Sequence, residues 1–397
     1  MPLSLTEFTA EGAGTELSAR WLVVGPDSPD SPDSPDGWTA GRPGHGPALN
    51  PLTRRPRWTS VRASHRSRAR VGGSRTMGIA RRDLLRWGAG AGGAAAVGSL
   101  FEPVSSATAR TAASSATPGG LPTDSWMSRL DGSLSLLDLT VPGTHDSCCQ
   151  NPWYGTEWSH TQNWGIPQQL QEGVRFLDIR CNGLEGAPDE LGIYHADNYQ
   201  HIRLQDVLDQ CRSFLAAHPG ETVLMRLRNE RAGGQSLDDP EFQRRVNHYL
   251  DGLGYRGMFH FYGWPTLGTA RGKVVLLADF ANPWGLIDWS SGQNAWFDTQ
   301  DVWQIGGTDA LGDKGRYITA QFDKAFLNPA YPRMFVNFLS YAGGYWPKSS
   351  SQTLMDRTVY PYLVARTRQR ARFGIVPMDF PDFHVNVLQM LIDKNFV

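Results

Sequence analysis

The order of apolar runs along the chain predicts an α/β fold, a single (β/α)8 barrel of the TIM type over residues 122–397, behind an N-terminal region of different character. Three observations carry this expectation. Short, almost continuous apolar runs alternate with stretches of helical period, as expected of parallel strands buried on both faces. Eight such runs can be counted. Charged residues gather where the runs end toward the C-terminus, the end at which barrels of this type build their sites.

The elements follow in order. The run LLDLTVPGT ends at Thr144, and GVRFLDIRC covers 173–181 behind the helix-like IPQQLQEG. A third strand is expected at ELGIYHA, 190–196, followed by the helix RLQDVLDQCRSFLAAHPG, which Pro219-Gly220 terminate. ETVLMRLRNE (221–230), an amphipathic helix near 240–253 and GKVVLLADF (272–280) supply strands four and five with the helix between them. A Trp/Gly/Asp-rich segment over 281–315 is expected to be a long loop, and RYITAQF (316–322) the sixth strand. RMFVNFLS (333–340), a helix over 352–371, FGIVPMDFP (373–381) and a last helix, FHVNVLQMLIDKNF, complete the pattern.

The first part of the chain is different. Residues 1–76 are rich in Pro, Gly, Ser and Arg, with the repeat DSPDSPDSPD, and show no sustained period; they are expected to be disordered or to precede the true start. From Met77, Arg81-Arg82 precede Asp83-Leu84-Leu85, a Gly/Ala-rich run and Ala107-Thr108-Ala109. That order predicts a twin-arginine export signal over 77–109 and a mature protein that begins near Arg110 and acts outside the cell. The four cysteines do not make a disulfide framework in a chain of 397 residues. Cys149 and Cys181, each after a neighbouring strand, are the pair placed to bond after export, whereas Cys211 falls on an apolar helix face. A formal net charge of −1 gives no field that would favour nucleic acid.

The strand ends carry the chemistry. His145 and Asp146 follow the first strand, Asp178 and Arg180 end the second, and His195 ends the third. Arg226 and Arg228 end the fourth, Asp279 the fifth, and Asp379 the eighth. A charge inside an apolar strand is costly unless partnered, so Arg180, Arg228 and Asp379 point to a site rather than to surface decoration. Two histidines can share general acid and base work near neutral pH, and an arginine can grip phosphoryl oxygens through its fork of donors. Together these predict cleavage of a phosphate ester. Arg180 and Arg228 stand at positions where a hard cation would want acidic oxygen ligands, so no metal and no cofactor are expected.

The motifs VPGTHDS, GVRFLDIR, YHAD, PGETVLMRL, GKVVLLADF and NFLS resemble, in collinear order over roughly 125–385, the bacterial phosphatidylinositol-specific phospholipases C, which are single, distorted TIM barrels. The resemblance implies a metal-independent lyase that forms inositol 1,2-cyclic phosphate and diacylglycerol from phosphatidylinositol at a membrane surface. It implies His145 as general base oriented by Asp379, His195 as general acid supported by Asp178, and Arg180 on the phosphate with Asp146 as its neighbour. It assigns the head group to Arg228, where the family has a lysine, to Asp279, where the family has an arginine, and to Asp323 as the counterpart of the family's sixth-strand acid. A monomer is expected, with Trp284, Trp289, Trp296 and Trp303 in a rim loop that meets the lipid surface.

Overall fold

The structure, a computed structural model, describes residues 122–289 and 294–396. The disordered segment and export signal expected before residue 110 lie outside the described residues. The chain forms β1 (Thr140–Thr144), α1 (Ile166–Gln171), β2 (Phe176–Leu184), β3 (Ala187–His195), β4 (Asn198–Arg203) and α2 (Leu204–Ala217). It continues with β5 (Val223–Asn229), α3 (Asp239–Asn247), β6 (Phe259–His260), α4 (Leu267–Ala270), β7 (Val274–Asp279) and β8 (Ile287–Asp288). The remainder is β9 (Phe297–Gln300), α5 (Ala310–Leu327), β10 (Met334–Asn337), α6 (Pro347–Leu354), α7 (Tyr360–Val364), β11 (Gly374–Met378) and α8 (Val385–Asp393).

The barrel wall runs β6-β7-β5-β2-β1-β11-β10-β9, all parallel, with β8 pairing the same edge of β7 as β6 does. Among the described residues no backbone pairing joins β9 to β6 or β8, so the barrel is open at one seam. Aromatic rings fill that seam: Phe297 lies 4.5 Å from the ring of Trp289 and 5.6 Å from that of Trp264.

Strand alternation sorts the side chains into two clusters. Leu139, Val141, Phe176, Leu224, Val275, Leu277, Val336 and Ile375 fill the interior with Trp289 and Phe297. Leu177, Ile179, Val223, Met225, Leu276 and Val376 pack outward against the helices. Gly143 has no side chain because the Phe176 ring lies 2.7 Å from where its Cβ would stand.

Two expected strands are otherwise. Residues 190–195 do form a strand, but β3 pairs antiparallel with β2 and with β4, off the barrel wall. β2 runs past the wall and folds back at Gly186, whose φ of +73° suits glycine. Residues 316–322 lie inside helix α5. Its buried face is Lys314, Ile318, Gln321, Phe322 and Ala325, a helical spacing that a short apolar window does not separate from a strand. The sixth strand is β9, in the segment expected to be a loop. Its buried Asp298 made it look polar, and Lys324 and Tyr331 partner that carboxylate at 2.6 and 3.1 Å. All four cysteines are buried free thiols, so the expected bond between Cys149 and Cys181 is not formed.

A fully buried ion pair closes the N-terminal end of the barrel. Arg175 Nη2 meets Glu221 Oε2 at 2.8 Å, and its remaining donors reach the carbonyls of Leu170, Val174 and Asp124. Glu221 also accepts the backbone N–H groups of Met127 and Ser128. These bonds hold the 3-10 segment Thr123–Arg129 under the barrel, with Trp126 and Met127 buried. Truncating one partner strands the other charge. Glu221→Ala should therefore lose about 3–5 kcal/mol in urea unfolding. A loss below about 1 kcal/mol, the scale of an exposed pair, would show that this pair does not hold the end closed.

Candidate active site

The inward parity of the strands delivers the site. Phe176, Asp178 and Arg180 share one face of β2; Leu224, Arg226 and Arg228 share the matching face of β5; Val275, Leu277 and Asp279 share that of β7. Register then sets Asp178 beside Arg226 and Arg228 beside Asp279. On β1, Val141 and Gly143 are followed on the same parity by His145. Asp146 would face outward if the strand went on, but β1 ends at Thr144 and Asp146 takes φ +44°. This left-handed turn returns its carboxylate to the interior. Thr161 Oγ1 and the Cys149 N–H bind the Asp146 carbonyl and hold the turn.

His145 is held on every side. Its Nδ1 lies 2.9 Å from Asp379 Oδ1, its Nε2 lies 3.3 Å from Asp146 Oδ2, and the Phe338 ring packs edge-on at 5.9 Å. Gln162 Nε2 donates to its carbonyl. With a carboxylate on Nδ1, the neutral ring keeps its proton there and presents Nε2 as the basic atom. Burial alone would lower the His145 pKa, but Asp146 and Asp379 outweigh it and raise it to about 9.

Asp146 is the hub. Its Oδ1 is 2.6 Å from Arg180 Nε, and its Oδ2 is shared between His145 and His195 Nε2 at 3.5 Å. It was expected to brace Arg180 alone. Asp178 was expected to support His195, but its Oδ2 takes Arg180 Nη2 at 2.8 Å and its Oδ1 takes Arg226 Nη1 at 3.2 Å. His195 instead has Ser159 Oγ at 3.3 Å from Nδ1, and Asn198 Nδ2 donates to that hydroxyl. The difference follows from β3 lying off the wall. Burial pushes the Asp178 carboxyl up, yet the two arginines hold it well below the usual carboxylate range.

The head-group candidates divide. Asp279 Oδ2 is bound by Arg226 Nη2 at 2.6 Å, and Arg226 stacks on Trp289 at 4.8 Å. Arg228 is 37% exposed and reaches Glu230 and Asp279 at 3.3 and 3.9 Å. These residues border a cavity of about 910 Å³ that also includes Asn282 and Asp301. Asp323 is not there: it lies on α5, where Tyr362 and Arg366 bind its carboxylate at 2.7 and 3.0 Å. Arg226 was placed at its strand end from the sequence without a role, and Ser159 was not singled out at all. The parity of Arg226 with Arg228 was the available signal, whereas Ser159 had none.

The raised His145 pKa has a sign. Its stabilising contribution is complete below the ordinary imidazole value, about 6.5, and is lost as pH rises through about 9. Removing the Asp379 charge should reduce both effects. In Asp379→Asn, NMR titration of the His145 ring should give a lower pKa than in wild type; an unchanged value would exclude Asp379 as its electrostatic partner.

Comparison with known proteins agrees with this geometry. Residues 140–278 match the family model "Phosphatidylinositol-specific phospholipase C, X domain". The 1-phosphatidylinositol phosphodiesterase of Listeria monocytogenes is 29% identical over 280 residues, covering 66% of this chain and 82% of the relative. That of Staphylococcus aureus strain Newman is 25% identical over 303 residues, covering 68% of this chain and 94% of the relative. The solved phosphatidylinositol-specific phospholipase C of Listeria monocytogenes covers 70% of this chain and 100% of its own, with a TM-score of 0.59 and 26% identity. The Staphylococcus aureus structure, at 23% identity and a TM-score of 0.59, shares the fold over 70% of this chain and 98% of its own. Open parallel barrel, strand-end histidines and matching motifs converge: the chain is similar to the phosphatidylinositol-specific phospholipase C X domain over residues 140–278 and to the bacterial enzymes over 66–70% of its length.

Proposed function

We propose that this chain is a phospholipase C that cleaves the phosphodiester of phosphatidylinositol through its own inositol 2-hydroxyl, giving inositol 1,2-cyclic phosphate and diacylglycerol. The observation that carries the reading is His145, oriented at Nδ1 by Asp379 and placed beside Arg180 through their common partner Asp146. His145 Nε2 takes the hydroxyl proton as that oxygen attacks phosphorus. Arg180 has Nε and Nη2 committed to Asp146 and Asp178, which leaves Nη1 for a phosphoryl oxygen. His195 gives its proton to the departing glycerol oxygen as the P–O bond breaks.

The ligand atoms of His145, Asp146 and Asp178 lie within 4.8 Å of one another, close enough to hold a cation. Both carboxylates already face the Arg180 guanidinium, which a divalent ion would have to displace, so the reaction is read as metal-independent. The expected export through the twin-arginine route would put the enzyme outside the cell as a monomer, with membrane lipid and not nucleic acid as its partner. Among the described residues no helix is long and apolar enough to cross a membrane.

The lipid-facing aromatics are not those expected from the 281–303 segment alone. Trp289 is buried beneath Arg226, and Trp284 and Trp296 are partly buried. The exposed rings are Trp153 (88%), Trp303 (55%) and Trp346 (48%), which follow β1, β9 and β10, with Trp158 4.5 Å from Trp346. All follow the C-terminal ends of wall strands, the face that holds the site, and indole favours the interface.

Phosphorus NMR of phosphatidylinositol vesicles should show a cyclic phosphodiester signal that EDTA leaves intact; loss of the signal with EDTA would overturn metal independence. His145→Ala and His195→Ala should each lower turnover by about 10²–10⁴-fold, and a loss under about tenfold would overturn the roles. Since the substrate-free His145 is charged near neutrality, the limb of the kcat/KM profile that reports the base should lie toward pH about 9. Replacing Trp153 and Trp346 by Ala should weaken binding to phosphatidylcholine vesicles while sparing a soluble substrate; equal losses on both would remove the membrane assignment.

A further inference from the structure

His195 differs from the rest of the site in what holds it. His145, Arg180 and Asp379 belong to or follow β1, β2 and β11, each of which is paired on both sides within the wall. His195 ends β3, which leaves the wall. Its register partner is Asn198, so only Ala196 and Asp197 make the turn, and Ala196 takes φ +50°. An L residue with a Cβ pays about 1–2 kcal/mol in that region, and alanine has no polar side chain to offset it. Among the described residues the polar contacts of the ring are to Ser159 and Asp146, at 3.3 and 3.5 Å.

One side chain secures the turn. The Ala196 N–H donates to Oε1 of Glu230 at 3.1 Å. Glu230 follows β5, and its own N–H donates to the Cys181 carbonyl at 2.9 Å, which anchors it to β2. Its Oε2 is 3.3 Å from Arg228 Nε. The same loop approaches Asp197, which stays exposed: a Cβ on Gly233 would stand 2.8 Å from its Oδ1. We propose that Glu230 is a positioning residue for the general acid, clamping the Ala196 turn so that His195 reaches the leaving oxygen, and linking that placement to the head-group arginine Arg228. The inference rests on the reading of His195 as the acid.

The test compares two substrates. Phosphatidylinositol expels an aliphatic alkoxide that needs a proton; an inositol phosphodiester of nitrophenol expels a stable anion that does not. Glu230→Ala should lower kcat on the lipid at least about tenfold and on the nitrophenyl ester far less, the pattern also expected of His195→Ala. Adding Ala196→Gly should recover much of the lipid activity, since glycine holds a positive φ at no steric cost. Glu230→Gln keeps an acceptor for the Ala196 N–H, so it should preserve the ratio between substrates and raise KM by weakening the hold on Arg228. Equal loss on both substrates, or no recovery with Ala196→Gly, would overturn the positioning role. Wild-type enzyme that releases no cyclic phosphate from either substrate would instead overturn the reaction, and the inference with it.

Discussion

An alternating row of buried charges organises the catalytic end of this molecule. It runs Asp146, Arg180, Asp178, Arg226, Asp279, across the ends of four adjacent strands, with contacts of 2.6, 2.8, 3.2 and 2.6 Å. None of these groups is tolerable alone in an apolar barrel, and each removes the burial cost of its neighbour. The row also sets the chemistry. Asp146 belongs at once to Arg180 and to both histidines, so the cation proposed to hold phosphate and the proposed acid–base pair share one carboxylate.

The two ends of the barrel make contrasting use of buried charge. At the N-terminal end, Arg175 and Glu221 satisfy one another and several backbone groups, and nothing is left over for a ligand. At the C-terminal end, donors and acceptors are paired without being saturated: Arg228 is partly exposed, and the two histidines meet carboxylate oxygens beyond 3 Å on Nε2. The first arrangement holds the fold closed. The second leaves polar groups able to exchange a protein partner for a substrate.

The open seam shapes the binding cavity. Where β8 and β9 fail to pair, Trp289 fills the interior and supplies a face for Arg226. Arg226 in turn neutralises Asp279 at the end of β7. The positive charge stands on the adjacent strand β5, and its carboxylate partner borders the cavity. A ligand entering there meets that ion pair and the partly exposed Arg228.

Much of this was legible in the residues. Alternation within LLDLTVPGT, GVRFLDIRC, ETVLMRLRNE, GKVVLLADF and FGIVPMDFP specifies both the strands and the inward parity of His145, Arg180, Arg228 and Asp379, because a period of two needs no knowledge of neighbours. Tertiary structure decided the rest. RYITAQF became helix because its buried face closes on β9 and β10, and polar FDTQ became strand because α5 supplies partners for Asp298. Asp178 was given to the arginines, and His195 to Ser159 and Asp146, once β3 turned away from the wall. Trp289 went inward because the seam needed filling. Pattern along a chain determines which face a side chain takes; which partner it finds depends on what other segments bring to that face, and here those segments lie tens to hundreds of residues away.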